Sequence, residues 1–159
     1  MKKYSWIVPL VGAVAVFVVL ILNRTTTPAV AKGLLAARGT SQASCVGRKK
    51  CLVAVVAPWC GYCRRSTPMI KALLQKYSGS GELMVNAVVS ADEDQSTADY
   101  AGELGAGAFS DPGNAFSTAM GVRGFPTWVL LDESGRTIKS ASGAFPSADQ
   151  LFSYMSLAQ

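Results

Sequence analysis

Apolar residues in the middle of the chain follow two different patterns. Residues 51–57 form a continuous apolar run rich in valine, and residues 83–89 show another buried-strand pattern, interrupted only by Asn86. Such runs are typical of strands buried on both faces of a parallel sheet. Between them, apolar side chains recur at helical spacing from Met69 to Tyr77, and Gly79 follows as a stop signal. The pattern therefore predicts a strand, a helix and a second strand.

The pattern after residue 95 predicts short helices and a closing hairpin. Residues 96–104 are expected to form a short helix, and Asp111 is expected to cap another one with Pro112 at its first position. The remaining predicted elements are a strand at 125–131, a turn at 132–135, a strand at 136–141 and a C-terminal helix whose capping box is Ser147 and Gln150. Together these elements predict an α/β fold, a three-layer sandwich with a mixed central sheet.

The N-terminal segment carries a long apolar run. Residues 4–23 are uncharged and follow Lys2 and Lys3, and about 20 such residues span the hydrocarbon core of a bilayer. We expect a cytoplasmic stub and a transmembrane signal-anchor helix in residues 1–24, a linker in 25–44 and the folded domain in 45–159. The alternative is a secreted protein whose signal peptide is cleaved near Ala31.

Positive charge is concentrated in the first third of the chain. Residues 1–50 hold eight of the fifteen Lys and Arg residues and no acidic residue, whereas residues 51–159 hold seven basic and ten acidic residues. A nucleic-acid-binding domain needs basic residues clustered on its folded surface. Because the folded domain lacks this surplus, we expect no nucleic-acid partner.

The chain contains four cysteines and no histidine. Without histidine it cannot form a mixed Cys–His zinc site or a catalytic pair that uses histidine as the base. Four thiolates could still bind zinc or Cu(I). The acidic stretch at 90–95 lacks the alternating oxygen ligands and the glycine of a calcium loop. We therefore expect no metal site and no cofactor.

Cys60 and Cys63 lie where the first predicted strand becomes the first predicted helix. Two cysteines separated by two residues at a helix start can form a disulfide, and the free helix N–H groups stabilise a thiolate on the first cysteine. Cys60 is therefore the expected nucleophile, and Arg64 and Arg65 add positive charge nearby. Cys63, one turn along, is expected to resolve the mixed disulfide.

Three short segments within residues 49–157 resemble the thioredoxin-like family. Trp59 with the two cysteines resembles its active-site motif, Pro68 falls where these proteins kink the following helix, and the Gly-Phe-Pro-Thr sequence at 124–127 resembles the cis-proline loop. The long stretch between motif and proline loop is similar to the membrane-tethered branch that includes TlpA, ResA and the cytochrome c maturation thioredoxins. The resemblance implies the thioredoxin-like version of the three-layer sandwich.

The resemblance also implies where a substrate binds. It implies a cis peptide bond before Pro126, in a loop that faces the motif and exposes the backbone of Phe125 to an extended substrate. The expected substrate-binding residues are Trp59, Gly61, Tyr62, Phe125 and Pro126. The expected partners are protein thiols and disulfides.

Two departures from the family pattern affect the expected chemistry. Many thioredoxins bury an acid six residues before the first cysteine to accept the proton of the resolving thiol, whereas this chain has Ala54. Proton transfer from Cys63 must then use water or another group. The Gly61-Tyr62 dipeptide is unlike the Gly-Pro of thioredoxins and resembles that of periplasmic disulfide isomerases.

A second cysteine pair, Cys45 and Cys51, encloses five residues before the first strand. A structural disulfide is the favoured interpretation, and two unpaired thiols or a second redox pair are the alternatives. Seven strand residues at about 3.3 Å each place this pair roughly 20 Å from Cys60, so direct exchange between the pairs is not expected.

These features predict an exported, membrane-anchored thiol–disulfide oxidoreductase. Disulfide exchange fits the periplasmic or extracytoplasmic side of the inner or cytoplasmic membrane, because that compartment is oxidising. The resembled branch favours a reductase that exchanges electrons with a membrane donor or acceptor and contacts the bilayer through its N-terminal helix. An oxidase or isomerase of exported proteins, a Cu(I)-binding module and a redox-inert docking module are the alternatives.

Overall fold

The computed structural model describes residues 48–78 and 81–157. The predicted transmembrane helix, the linker and Cys45 lie outside these ranges. Among the residues that are described, no helix is both long enough and apolar enough to cross a membrane.

A five-stranded sheet in the order β3-β2-β1-β4-β5 forms the centre of the fold. Its strands are β1 (Lys50–Val56), β2 (Leu83–Val89), β3 (Ala108–Ser110), β4 (Thr127–Asp132) and β5 (Thr137–Ser142). β2 runs parallel to β1 and β3, whereas β4 runs antiparallel to β1 and β5. The predicted mixed sheet is confirmed, and its central strand, β1, leads into the cysteine motif.

Two strands differ from the sequence prediction. β4 begins at Thr127 rather than at residue 125, because Pro126 has no N–H to donate to a neighbouring strand. The sequence does not predict β3, since three residues are too few to show a period-two alternation.

The described residues form four α-helices. They are α1 (Gly61–Lys76), α2 (Asp94–Leu104), α3 (Ala115–Ala119) and α4 (Ala148–Met155). α2 begins two residues earlier than predicted. At the start of α4, the Ser147 hydroxyl accepts the N–H of Gln150 at 3.3 Å, as its predicted role in the cap requires.

The start of α3 corrects one sequence prediction. Pro112–Asn114 form a separate 3-10 turn, so Pro112 is not the first residue of the α-helix. The Asp111 carboxylate instead reaches past this turn and accepts the backbone N–H groups of Phe116 and Ser117 at 2.8 and 2.9 Å. Asp111 thus satisfies free N–H groups of α3, although it is separated from the helix by the turn.

Side chains of β1 alternate between two apolar layers. Its even-numbered residues from 52 to 56 face a layer formed by α1, α2 and α4, which also contains Cys60 and Cys63. Its odd-numbered residues from 51 to 55 face a layer that contains Phe116 of α3. The predicted three-layer arrangement is therefore confirmed, and the two cysteine-bearing regions lie on opposite faces of the sheet.

Candidate active site

The Cys60 side chain caps the N-terminus of α1. Its sulphur accepts the backbone N–H of Cys63 at 3.2 Å, and its thiol donates to the Phe125 carbonyl, with 3.4 Å between sulphur and oxygen. Only 5% of Cys60 is exposed. Because a free helix N–H points at this sulphur, the site stabilises negative charge on it.

Cys63 lies in the first turn of α1 and is fully buried. Burial, reinforced by the hydrogen bond to Cys60, raises the pKa of the Cys63 thiol to about 12. The two cysteines are free thiols in this structure. They therefore differ in access, with Cys60 at the surface end of the pair and Cys63 behind it.

Ala54 occupies the position where many thioredoxins bury an acid. It lies in β1 opposite Trp128 of β4, and both residues belong to the core layer that contains Cys63. The large indole of Trp128 is fully buried next to the small alanine. An apolar pair thus takes the place of the acid, which agrees with the proton-transfer difficulty expected from the sequence.

The proline loop lies against the cysteine motif. The Phe125–Pro126 peptide bond is cis, as the resemblance implies, and the Phe125 carbonyl reaches the Cys60 thiol. The Phe125 ring also contacts Trp59 edge to face, with 5.8 Å between ring centroids. The structure therefore brings together three of the predicted substrate-binding residues, Trp59, Phe125 and Pro126, around Cys60.

Two large aromatic side chains are exposed beside the nearly buried cysteines. Trp59 is 64% exposed and Tyr62 is 61% exposed. Gly61 lies between the cysteines, and a Cβ atom added there would meet only the end of the Arg65 side chain, at 3.9 Å. No backbone constraint or close contact in the described residues requires glycine at this position.

The two arginines after the motif have different surroundings. Arg64 donates to the Pro58 carbonyl at 2.9 Å, forms an ion pair with Glu103 at 2.6 Å and lies over the Tyr100 ring. Arg65 lies over the exposed Tyr62 ring, 4.4 Å from its centroid. The ion pair offsets the positive charge of Arg64, so it assists a Cys60 thiolate less than the sequence suggests.

Sequence reasoning missed the part of α2 that supports the motif. Besides holding Arg64, Tyr100 accepts or donates a hydrogen bond with Thr67 of α1 at 2.8 Å. Burial raises the pKa of the Tyr100 hydroxyl. These contacts join residues 33 to 39 positions apart, and no local pattern in the sequence signals them.

Cys51 lies on the opposite face of the sheet from this site. It is fully buried and disulfide-bonded, and the side-chain amide of Asn86 donates to its sulphur at 3.4 Å. Its predicted partner, Cys45, lies outside the described residues. Within the described part of the chain, no group of three or more His, Cys, Asp or Glu residues is placed to hold a metal ion.

Several solved structures resemble this fold. The exposed lipoprotein thioredoxin Etrx1 of Streptococcus pneumoniae TIGR4 is 24% identical, with 69% of this chain and 85% of that chain covered and a TM-score of 0.56. StoA of Bacillus subtilis is 22% identical, with coverages of 69% and 84% and a TM-score of 0.57. These two likenesses concern the fold.

A third structure is similar at a slightly higher identity. It is a Chlorobium tepidum protein assigned as the thiol:disulfide interchange protein DsbE, 25% identical, with 69% of this chain and 78% of that chain covered and a TM-score of 0.57. No protein with a curated function matches this chain in sequence.

The family follows from a match to most of the chain. Residues 22–153 match the Redoxin family, and this range contains the cysteine motif, the helix that it caps and the cis-proline loop. The fold around these elements is thioredoxin-like. The chain therefore belongs to the Redoxin family and is a thioredoxin-like oxidoreductase with a Cys60–Cys63 pair at its candidate active site.

Proposed function

We propose that the protein is an exported, membrane-anchored thiol–disulfide oxidoreductase that acts on protein cysteines and works as a reductase. The observation that carries this proposal is the Cys60 sulphur, which accepts a helix N–H from Cys63 and lies against the Phe125 carbonyl. A thiolate formed there is stabilised by the helix and lies at the surface end of the pair, where a substrate disulfide can approach.

The reduction proceeds in two exchange steps. The Cys60 thiolate attacks one sulphur of a substrate disulfide, that S–S bond breaks, and the departing substrate thiolate takes up a proton. Cys63 then loses its proton and attacks the Cys60 sulphur, which forms the Cys60–Cys63 disulfide and releases the second substrate thiol. Two electrons pass from the protein to the substrate, and a membrane electron donor must restore the dithiol.

The substrate is proposed to bind across the motif and the proline loop. Trp59 and Tyr62 offer exposed aromatic surface on either side of Cys60, and such surface is favoured in protein recognition. Phe125 and Pro126 offer the backbone next to the sulphur. Gly61, which directly follows Cys60, adds no side chain of its own beside the sulphur.

The proposed location rests on the N-terminal run and on one structural neighbour. Residues 4–23 are long enough and apolar enough to act as an anchor. Etrx1 is described as an exposed lipoprotein, which supports an extracytoplasmic site of action for this fold. A reducing role outside the cytoplasm would be consistent with the membrane-tethered branch that the sequence resembles.

The second cysteine pair is proposed to form a structural disulfide between Cys45 and Cys51. Cys51 is disulfide-bonded, and Cys60 and Cys63 are free. Cys51 faces the other side of the sheet from Cys60, which argues against exchange between the pairs. Peptide mapping under non-reducing conditions would identify the Cys45–Cys51 link or another partner.

The reduction potential of the Cys60/Cys63 pair tests the direction of exchange. The full chain is equilibrated in dithiothreitol or glutathione buffers, its thiols are alkylated, and the peptide that contains both residues is quantified by mass spectrometry. We expect a value near that of thioredoxin, about −270 mV, as a reductase requires. A Cys60→Ser variant is the control, because it cannot form this disulfide.

Two other results would contradict the proposal. A potential near −120 mV would mean that the reduced form is strongly stabilised, and the protein would be an oxidase or isomerase. Failure of the pair to form a disulfide would reject the exchange reaction altogether and leave a docking or Cu(I)-binding role. Neither result depends on where the protein is located.

Protease accessibility tests the location separately. In cells whose cell envelope has been permeabilised outside the cytoplasmic membrane, we expect added protease to digest the domain while the cytoplasmic membrane remains intact. N-terminal sequencing of the membrane fraction distinguishes the anchored chain, which begins near residue 1, from a chain cleaved near Ala31. Protection of the domain until the membrane is dissolved would overturn the proposed export.

A further inference from the structure

Asn114 joins two loops that are distant in the sequence. It is the last residue of the 3-10 turn and directly precedes α3, with a left-handed backbone at φ 58°. Its side-chain oxygen accepts the backbone N–H of Ala91 at 2.6 Å and the hydroxyl of Ser90 at 2.8 Å. Through these two bonds, the start of α3 holds the loop that follows β2.

Ala91 has an unusual backbone conformation. Its φ of 62° lies in the left-handed region, which residues with a Cβ atom rarely adopt. Its N–H is bound by Asn114, and its carbonyl accepts the indole N–H of Trp59 at 2.6 Å. Both the N–H and the carbonyl of Ala91 are therefore hydrogen-bonded. The bond from Asn114 stabilises the backbone conformation that directs the Ala91 carbonyl towards Trp59.

Asn114 is itself held by a buried polar network. Ser90 shares a hydrogen bond with the Ser117 hydroxyl at 2.8 Å, and the Ser117 backbone N–H donates to the Asp111 carboxylate. All three of these residues are buried. Buried polar groups that satisfy one another resist rearrangement. This network therefore restrains Ser90, whose hydroxyl donates to the Asn114 side chain, and so restrains the oxygen that binds Ala91.

Trp59 needs this support because it is mostly exposed. Packing fixes an aromatic ring in a core, but Trp59 is 64% exposed, and its described contacts are the edge-to-face approach to Phe125 and the hydrogen bond to Ala91. Trp59 immediately precedes Cys60, and Phe125 supplies the carbonyl against the Cys60 thiol. The orientation of the indole therefore sets one wall of the approach to the reactive sulphur.

We propose that Asn114 is a positioning residue that acts through Ala91 to orient Trp59 for substrate disulfides arriving at Cys60. This inference deepens the proposed function and rests on it for its effect on exchange. It gives a functional role to the hydrogen-bonded network of Ser90, Asp111, Asn114 and Ser117, which takes no direct part in the exchange steps.

Matched variants separate the side chain of Asn114 from its backbone. Asn114→Gly keeps the left-handed backbone accessible and removes the acceptor oxygen. Asn114→Asp keeps an acceptor oxygen at the same place. Because glycine tolerates the backbone conformation, a difference between these two variants reports the loss of the bonds that the side-chain oxygen accepts from Ala91 and Ser90.

Indole N–H signals provide a direct readout in the full chain. The sequence has three tryptophans, so 15N-tryptophan labelling gives three indole signals, and Trp59→Phe identifies the one from Trp59. In Asn114→Gly we expect the Trp59 signal to move towards that of a free indole and to exchange faster with water. The signal should be restored in Asn114→Asp. The Trp128 indole, which is buried without a hydrogen-bond partner in the described residues, is the internal control.

Exchange rates with a protein disulfide test the consequence for function. We expect Asn114→Gly to lower the rate constant about three- to tenfold, the factor that corresponds to one hydrogen bond of ordinary net strength. We expect Asn114→Gly combined with Trp59→Phe to be no slower than Trp59→Phe alone, because both changes act through the same indole. The rate of Asn114→Asp should lie close to that of the wild type.

Three outcomes are decisive against the proposal. The first is an unchanged Trp59 indole signal in Asn114→Gly. The second is the same indole signal and the same exchange rate in the glycine and aspartate variants. The third is a double variant whose rate falls by the product of the two single-variant factors. If the wild-type chain exchanges no disulfide, the proposed function fails and with it the catalytic part of this inference. The indole signals still decide whether Asn114 positions Trp59.

Discussion

Cys51 and Cys63 are both fully buried, but they lie in different chemical settings. Cys63 faces the layer of α1, α2 and α4, one helical turn from Cys60, and is a free thiol. Cys51 faces the layer of α3 and is disulfide-bonded, with the Asn86 amide against its sulphur. Burial alone therefore does not determine what a cysteine does in this protein.

The difference lies in the neighbours of each sulphur. Cys63 has a second thiol within reach, at a helix N-terminus whose surroundings open to solvent through Trp59 and Tyr62. Cys51 lies in the middle of a sheet, between strands on both sides, so no substrate can approach it. The Cys60–Cys63 pair therefore lies beside exposed surface, whereas Cys51 is enclosed by the sheet.

Of all the changes considered, removing either active-site cysteine should have the largest effect on disulfide exchange. Cys60→Ser and Cys63→Ser should each lower turnover with a protein disulfide to the background rate. Only Cys63→Ser should accumulate a mixed disulfide with the substrate, because Cys60 still attacks and nothing resolves the product. Non-reducing gel electrophoresis and mass spectrometry detect this species. Its accumulation in Cys60→Ser instead would reverse the assigned roles.

High pH should destabilise the reduced protein through Cys63. Burial raises the pKa of Cys63 from 9.0 to about 12 in the folded state, and unfolding restores the lower value. Below pH 9 both states keep the proton. Above it the unfolded state loses its proton first, so the free energy of unfolding should fall as the pH rises towards 12.

Urea unfolding of the reduced protein at several pH values measures this fall. Reduced Cys63→Ala is the matched control, because it differs only at the titrating thiol. The wild type should lose more stability than this variant between pH 9 and 11. Parallel curves for the two proteins would contradict the raised pKa.

Asn86→Ala should destabilise the fold around Cys51 without changing the exchange rate at the active site. Removing the amide takes away a buried donor and should lower the free energy of unfolding by about 1 to 3 kcal/mol. The rate of exchange at Cys60 should stay within the error of the wild type, because Asn86 and Cys51 contact each other away from the active-site cysteines. A loss of exchange rate at unchanged stability would show that the two regions are coupled.

Gly61→Ala should have the smallest effect on stability. The added Cβ meets only the Arg65 side chain, at 3.9 Å, so the free energy of unfolding should change by no more than about 0.5 kcal/mol. If Gly61 borders the bound substrate, the exchange rate with a protein disulfide should still fall. An unchanged rate would remove Gly61 from the proposed substrate-binding residues.

The elements best predicted from the sequence are those with strong local patterns. β2 has the predicted bounds, since a strand buried on both faces is apolar at nearly every position, here at all but Asn86. The cap of α4 follows from Ser147 and Gln150. The start of α3 has no such local pattern, because Asp111 accepts N–H groups five and six residues away, across a 3-10 turn. The usual capping spacing does not describe that geometry.

The sequence by itself determined the cysteine pair, its place at the start of a helix and, through family resemblance, the proline loop opposite it. These features depend on neighbouring residues or on short motifs. Only the tertiary structure decided that α2 offsets the charge of Arg64, that Trp128 fills the space beside Ala54, and that Asn114 reaches Ala91 and Trp59. These contacts join segments more than 20 residues apart, and they form only because the sheet brings the ends of its strands together.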